Sequence, residues 1–201
     1  KGRDLFDWFV QERIHERSYK HTLARDIAIQ ILLGLEQLHE AGMIHRDIKL
    51  ENLVLDESKL KQQGLKTLQC NVKVIDYDTV ICHTPGVKAF HVLGTDQYIA
   101  PESYIGLSSP ASDVWALGVC LYVIITGTFP FHAALFDDQP GENYVGNAKM
   151  KEIYIKMEKY WDHNGNPAKN KDPKMFASRA WTKLREAREF VMKRSEERRV
   201  G

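Results

Sequence analysis

IHRDIKLEN, residues 44–52, places His45, Arg46, Asp47, Lys49, Glu51 and Asn52 between an amphipathic helical pattern and an apolar strand pattern. A junction that only reverses the chain is served by Gly, Pro, Asn or Ser, so this concentration of ionisable groups points to a site. Asp47 alone would read as a turn former. Lys49 and Asn52 beside it shift the reading towards chemistry.

Upstream, Leu23, Ile27, Ile31, Leu32, Leu35 and Leu38 recur at three- and four-residue spacing, which predicts a core helix from Ser18 to Gly42, capped by Ser18 or Thr22. Downstream, NLVL (52–55) and VKVI (72–75) read as short strands. The polar segment between them is longer than a usual hairpin loop, so a small sheet carrying an insertion is expected. The second strand runs into IDYD (75–78), two carboxylates just past an apolar run, an arrangement that calls for a cation or a polar turn. Residues 113–127, DVWALGVCLYVIITG, are apolar nearly all round and predict a buried helix with Asp113 near its start and Gly127 at its end. Further helices are expected at 149–161 and from about Ser178. No internal repeat is visible.

Composition is that of an ordinary globular chain: 201 residues, 43% hydrophobic and 27% charged. A formal net charge of +1 provides no field that argues for a nucleic-acid or anionic-membrane partner. Cys70, Cys82 and Cys120 are too few and too scattered for a disulfide framework or a zinc site, which fits a reducing, cytoplasmic setting. No stretch approaches the roughly 18–20 apolar residues of a membrane span, and KGRDLFDWF is not a signal peptide. The chain starts mid-pattern, as a fragment would.

HRDxKxxN, then a strand ending in an aspartate, then GTDQYIAPE (94–102) and SDVWALGV (112–119) form a spaced series that resembles the C-terminal lobe of a eukaryotic protein kinase. The resemblance covers residues 1–193, with GRDLFDWF as the helix after the hinge. It implies an α+β fold, a mainly helical C-terminal lobe with a small β-hairpin region and no N-terminal lobe. Its implied activity is transfer of the ATP γ-phosphate to Ser or Thr of proteins, with Mg2+. Phosphoryl transfer is served mainly by positioning and electrostatics, which suits these residue types.

By resemblance, Asp47 accepts the proton of the substrate hydroxyl, Lys49 neutralises charge on the transferred phosphoryl, and Asn52 with Asp76 holds magnesium. His45 and Arg46 are scaffold, and Thr95, Glu102 and Asp113 are structural or regulatory. Val54 and Ile75 stand where the family packs adenine, and also where any strand places a core residue. Asp4 and Glu51 stand where related kinases meet an arginine upstream of the acceptor, implying substrates with basic residues before Ser or Thr. LFDWF, TGTFPF (126–131) and SPASDVWALGV most resemble the calcium/calmodulin-dependent group, especially calcium-dependent protein kinases, whose calcium-binding regions would lie outside this stretch.

Several departures accompany the resemblance. Asp78 replaces the glycine of the family's DFG, and is read either as a carboxylate near the metal or as an exposed turn residue, with Tyr77 packing as the usual Phe. The usual activating phosphosite falls on His91, so activity is expected not to need phosphate there, with Thr79 and Thr84 as alternative sites. The phosphate loop and its lysine precede Lys1, so this stretch alone should be inactive. A pseudokinase scaffold and a DxD-type metal-dependent glycosyltransferase are the rival readings. The second leaves HRDIKLEN and GTDQYIAPE unexplained.

RSEERRVG (194–201), read as AGA TCG GAA GAG CGT CGT GTA GGG, resembles a common sequencing adapter and is excluded from the domain, 1–193. The arginine that pairs with Glu102 in the family would lie beyond AWTKLREAREFVMK (180–193), so Glu102 is expected to lack it.

Overall fold

In a computed structural model, residues 2–12, 17–63, 67–137 and 141–159 are described. The order is β1 (Arg3–Asp4), α1 (Leu5–Glu12), α2 (Arg17–Glu40), β2 (Met43–Ile44), β3 (Leu53–Gln63), β4 (Thr67–Val74), β5 (Ile81–Cys82), α3 (Pro110–Thr126) and α4 (Ala148–Glu158). The helices expected beyond Ser178, and residues 194–201, lie outside the described residues.

α2 follows from its spacing: Leu23, Ile27, Ile31 and Leu35 form one fully buried stripe, with Leu32 and Leu38 half-buried at its edges. Ser18 and Thr22 lie inside the helix rather than capping it. Gly42 takes the left-handed angle (φ 73°) that ends the turn, and β2 begins at the next residue.

α3 is the buried axis of the molecule. It starts at Pro110, earlier than its apolar run suggests, because the Ser109 N–H donates to Ser112 Oγ (3.1 Å) and proline suits the first helical position. Leu117, Cys120 and Ile124 are essentially inaccessible, and Gly127 (φ 75°) closes the helix. α2 and α3 pack together with Leu53 and Leu55 of β3, Tyr104 and Ile153 of α4 in one core.

The two apolar runs prove to be the ends of one long hairpin. β3 and β4 pair antiparallel from Leu53↔Val74 to Gln63↔Thr67, with an irregularity between Asp56 and Lys61, and β1 adds to the β3 edge through Asp4↔Val54. The polar segment read as an insertion is therefore mostly strand; its backbone is satisfied by the ladder whatever its side chains. Period two puts Leu53 and Leu55 on the core face, and Val54, Lys73 and Ile75 on the other. A second ladder, Met43↔Cys82 and Ile44↔Ile81, joins β2 to β5.

Candidate active site

Asp113, in the first turn of α3, is buried and organises the loop after β2. Its Oδ2 accepts hydrogen bonds from the His45 N–H (2.8 Å) and from His39 Nε2 (2.8 Å), and its Oδ1 accepts from the Arg46 N–H (2.8 Å). A buried carboxylate is costly alone; three donors and the positive end of α3 compensate it. Those bonds fix Arg46 in a left-handed conformation (φ 71°), unfavourable for a residue with a Cβ and therefore maintained by its surroundings.

The next residues close a polar network. Lys49 Nζ pairs with Asp47 Oδ2 (2.8 Å) and donates to Thr95 Oγ1 (3.0 Å), whose hydroxyl donates to Asp47 Oδ1 (3.1 Å). Asn52 Nδ2 donates to Asp47 O (2.9 Å) and Oδ2 (3.1 Å). Thr95 thus bridges the acid and the base of the loop from a segment far along the chain. The Ile75 N–H donates to Asn52 O (2.9 Å), bringing Asp76 beside this network.

Asp76 is exposed and left-handed (φ 64°), and its carboxylate meets only the Asp78 N–H at a long 3.5 Å among the described residues. Asn52 Oδ1 accepts no hydrogen bond among them. An uncommitted carboxylate and an uncommitted amide oxygen on adjoining segments are hard donors, which fits Mg2+.

The left-handed angle falls on Asp76, not on Asp78, so the side chain standing in the glycine position is not penalised there. Asp78 is an exposed turn residue. Tyr77 sets its ring 5.3 Å from that of His45 and donates its hydroxyl to Val74 O (3.2 Å), while remaining 57% exposed. Burial pushes the His45 imidazole down from its ordinary pKa, against the opposing pull of Asp113, Asp47, the Ile75 backbone and Asp76. Burial likewise lowers Arg46, with Asp113 opposing.

Val54 is half-buried and Ile75 is 41% exposed, both on the sheet face turned away from the core. Asp4 Oδ1 accepts from the Asp7 N–H (2.8 Å), capping α1, and Glu51 is exposed. Glu102 Oε1 accepts from Ser112 Oγ (3.1 Å), so it is not the isolated carboxylate expected from sequence; the chain after Lys159 lies outside the described residues. His91 is exposed and forms a backbone bridge with Tyr144, flanked by Val92 N–H to Asn143 O (2.8 Å) and Val145 N–H to Phe90 O (2.9 Å). Residues 143–145, without a role from sequence, therefore brace the segment ahead of GTDQYIAPE.

Sequence reasoning missed two participants. His39 could have been suspected as a histidine in the last turn of α2; its acceptor, Asp113, is 74 residues away and left no local signal. Thr79 was read only as a modification candidate. Its hydroxyl is already engaged, donating to His45 O (2.7 Å), and the residue is half-buried.

A model of the protein kinase domain matches residues 1–194. The chain is 37% identical over 125 residues to sperm motility kinase Z of Mus musculus, covering 61% of this chain and 23% of that protein. It is 32% identical over 141 residues to calcium-dependent protein kinase SK5 of Glycine max (70% and 25%). To the SNF-related serine/threonine-protein kinase of Homo sapiens it is 34% identical over 135 residues (66% and 16%). The chain thus spans a quarter or less of the length of these relatives.

Proposed function

The chain belongs to the protein kinase domain family, and from that premise we propose that it is the C-terminal lobe of an ATP- and Mg2+-dependent Ser/Thr kinase. The observation that carries this reading is the bonded set Asp47, Lys49, Asn52 and Thr95 beside an uncommitted Asp76. Bound MgATP would supply the phosphoryl group and the charge that neutralises its oxygens, with Asn52 and Asp76 as the protein ligands.

The chain's own residues do the rest. Asp47 orients the acceptor hydroxyl and takes its proton. Lys49, held by Asp47 and Thr95, presents a cation to the transferred group. Thr95 fixes both in one geometry. Val54 and Ile75 offer an apolar surface on the open sheet face for an adenine ring. Glu51, and the Asp4 oxygen left over from capping α1, meet arginine upstream of the acceptor. The names of the calcium-dependent relatives support regulation by calcium from regions outside this stretch. Residues 194–201 are held outside the domain on the codon argument.

Asp47→Asn in the full-length protein should lower turnover of a Ser/Thr peptide by roughly 10²–10⁴, the range for a positioned general base. A wild-type rate in that variant would remove Asp47 from the mechanism.

A further inference from the structure

The peptide unit joining His45 to Arg46 is gripped from both sides. Its N–H donates to Asp113 Oδ1 (2.8 Å), and its carbonyl accepts from Thr79 Oγ1 (2.7 Å). Arg46 then returns the contact: its Nε donates to the Thr79 carbonyl (2.7 Å). One threonine therefore exchanges two short hydrogen bonds with consecutive residues of the loop that carries Asp47. Thr79 itself ends the turn that carries Asp76, and each of these two turns contains a left-handed residue with a Cβ, Arg46 (φ 71°) and Asp76 (φ 64°). Such angles persist only where neighbours over-determine them.

We infer that Thr79 is a positioning residue, clamping the Asp76 turn to the Asp47 loop so that metal ligand and base keep a fixed relation; the inference rests on the phosphotransfer reading of this site. The hydroxyl is the operative group. A β-branched side chain without it would fill the same half-buried space and leave the His45 carbonyl unpaired on that side. The bland alternative is a threonine that merely satisfies a turn, in which case its loss would lower stability and leave the chemistry alone.

The test is steady-state kinetics of the full-length protein carrying Thr79→Val or Thr79→Ser, on a Ser/Thr peptide with Mg2+ titrated at saturating ATP. Thr79→Val should lower kcat about tenfold, the loss of one hydrogen bond expressed in the rate, with peptide KM unchanged and more Mg2+ needed for half-maximal rate. Thr79→Ser should restore both. A Thr79→Val protein with wild-type kcat and Mg2+ dependence overturns the inference. Hydrogen exchange of the same proteins separates this from the activity itself. Thr79→Val should speed exchange in segments 44–49 and 76–82 relative to wild type, even where wild type transfers no phosphate, and unchanged exchange overturns the clamp. Absence of phosphotransfer in wild type would instead defeat the proposed function. Thr79→Ala, measured alongside, repeats both readouts without the added methyl group.

Discussion

His45 shows how a residue in a recognisable motif acquires its behaviour only from what surrounds it. The side chain is fully buried, its backbone N–H is held by Asp113, and its ring lies against Tyr77. Burial disfavours the imidazolium, and the negative charges of Asp113, Asp47 and Asp76 only partly offset this, so its pKa lies below 6.5 in the folded chain. As pH falls through 6.5 the unfolded chain takes up this proton first. The contribution is thus fully present above pH 6.5 and is lost as pH falls through the lowered folded value. Urea midpoints measured from about pH 7.5 down to about pH 5.5 should decline, and His45→Leu should remove part of that slope. An equal slope in the variant would assign the decline to other groups.

At the scale of elements, the turns that end helices and lead into GTDQYIAPE differ in what they tolerate. Gly127 ends α3 at φ 75° with open space where a Cβ would stand, so Gly127→Ala should cost only the left-handed conformation, about 1 kcal/mol. Gly94 has φ 120°, and a Cβ there would lie 2.7 Å from the Arg46 carbonyl and 3.2 Å from Ile99. Gly94→Ala should therefore cost roughly 2–4 kcal/mol and disturb the Asp47 loop as well. Chemical denaturation of the two variants compares them directly; equal losses would mean that the close approach is relieved cheaply. The same logic explains the hairpin. Its ends were legible as β-branched runs, whereas the middle, rich in Lys and Gln, has no strand signal and is strand because β3 and β4 satisfy each other's backbone.

Across the whole molecule, one face of the β1–β3–β4 sheet packs on α2 and the other presents Val54, Lys73 and Ile75, with Tyr77 exposed nearby. An apolar surface beside an uncommitted carboxylate is what a second lobe and a nucleotide would cover. A protein extended at its N-terminus by its preceding sequence should phosphorylate a basic Ser/Thr peptide where residues 1–193 alone do not. Phosphatase treatment should leave that activity intact, because His91 occupies the position of the usual phosphosite; activity in 1–193 alone, or silencing by phosphatase, would contradict this. The sequence by itself determined the helical stripe of α2, the buried character of α3 and the identity of Asp47, Lys49, Asn52 and Asp76 as a set, since periodicity and motif spacing are local properties of a chain. Only the tertiary structure decided that Asp113 holds the backbone of His45 and Arg46 from 68 and 67 residues away, that Thr95 bridges Asp47 to Lys49, and that the strained angle belongs to Asp76 rather than Asp78. Those facts depend on which distant groups meet, and a hydrogen bond between residues far apart in sequence leaves no period for either partner to display.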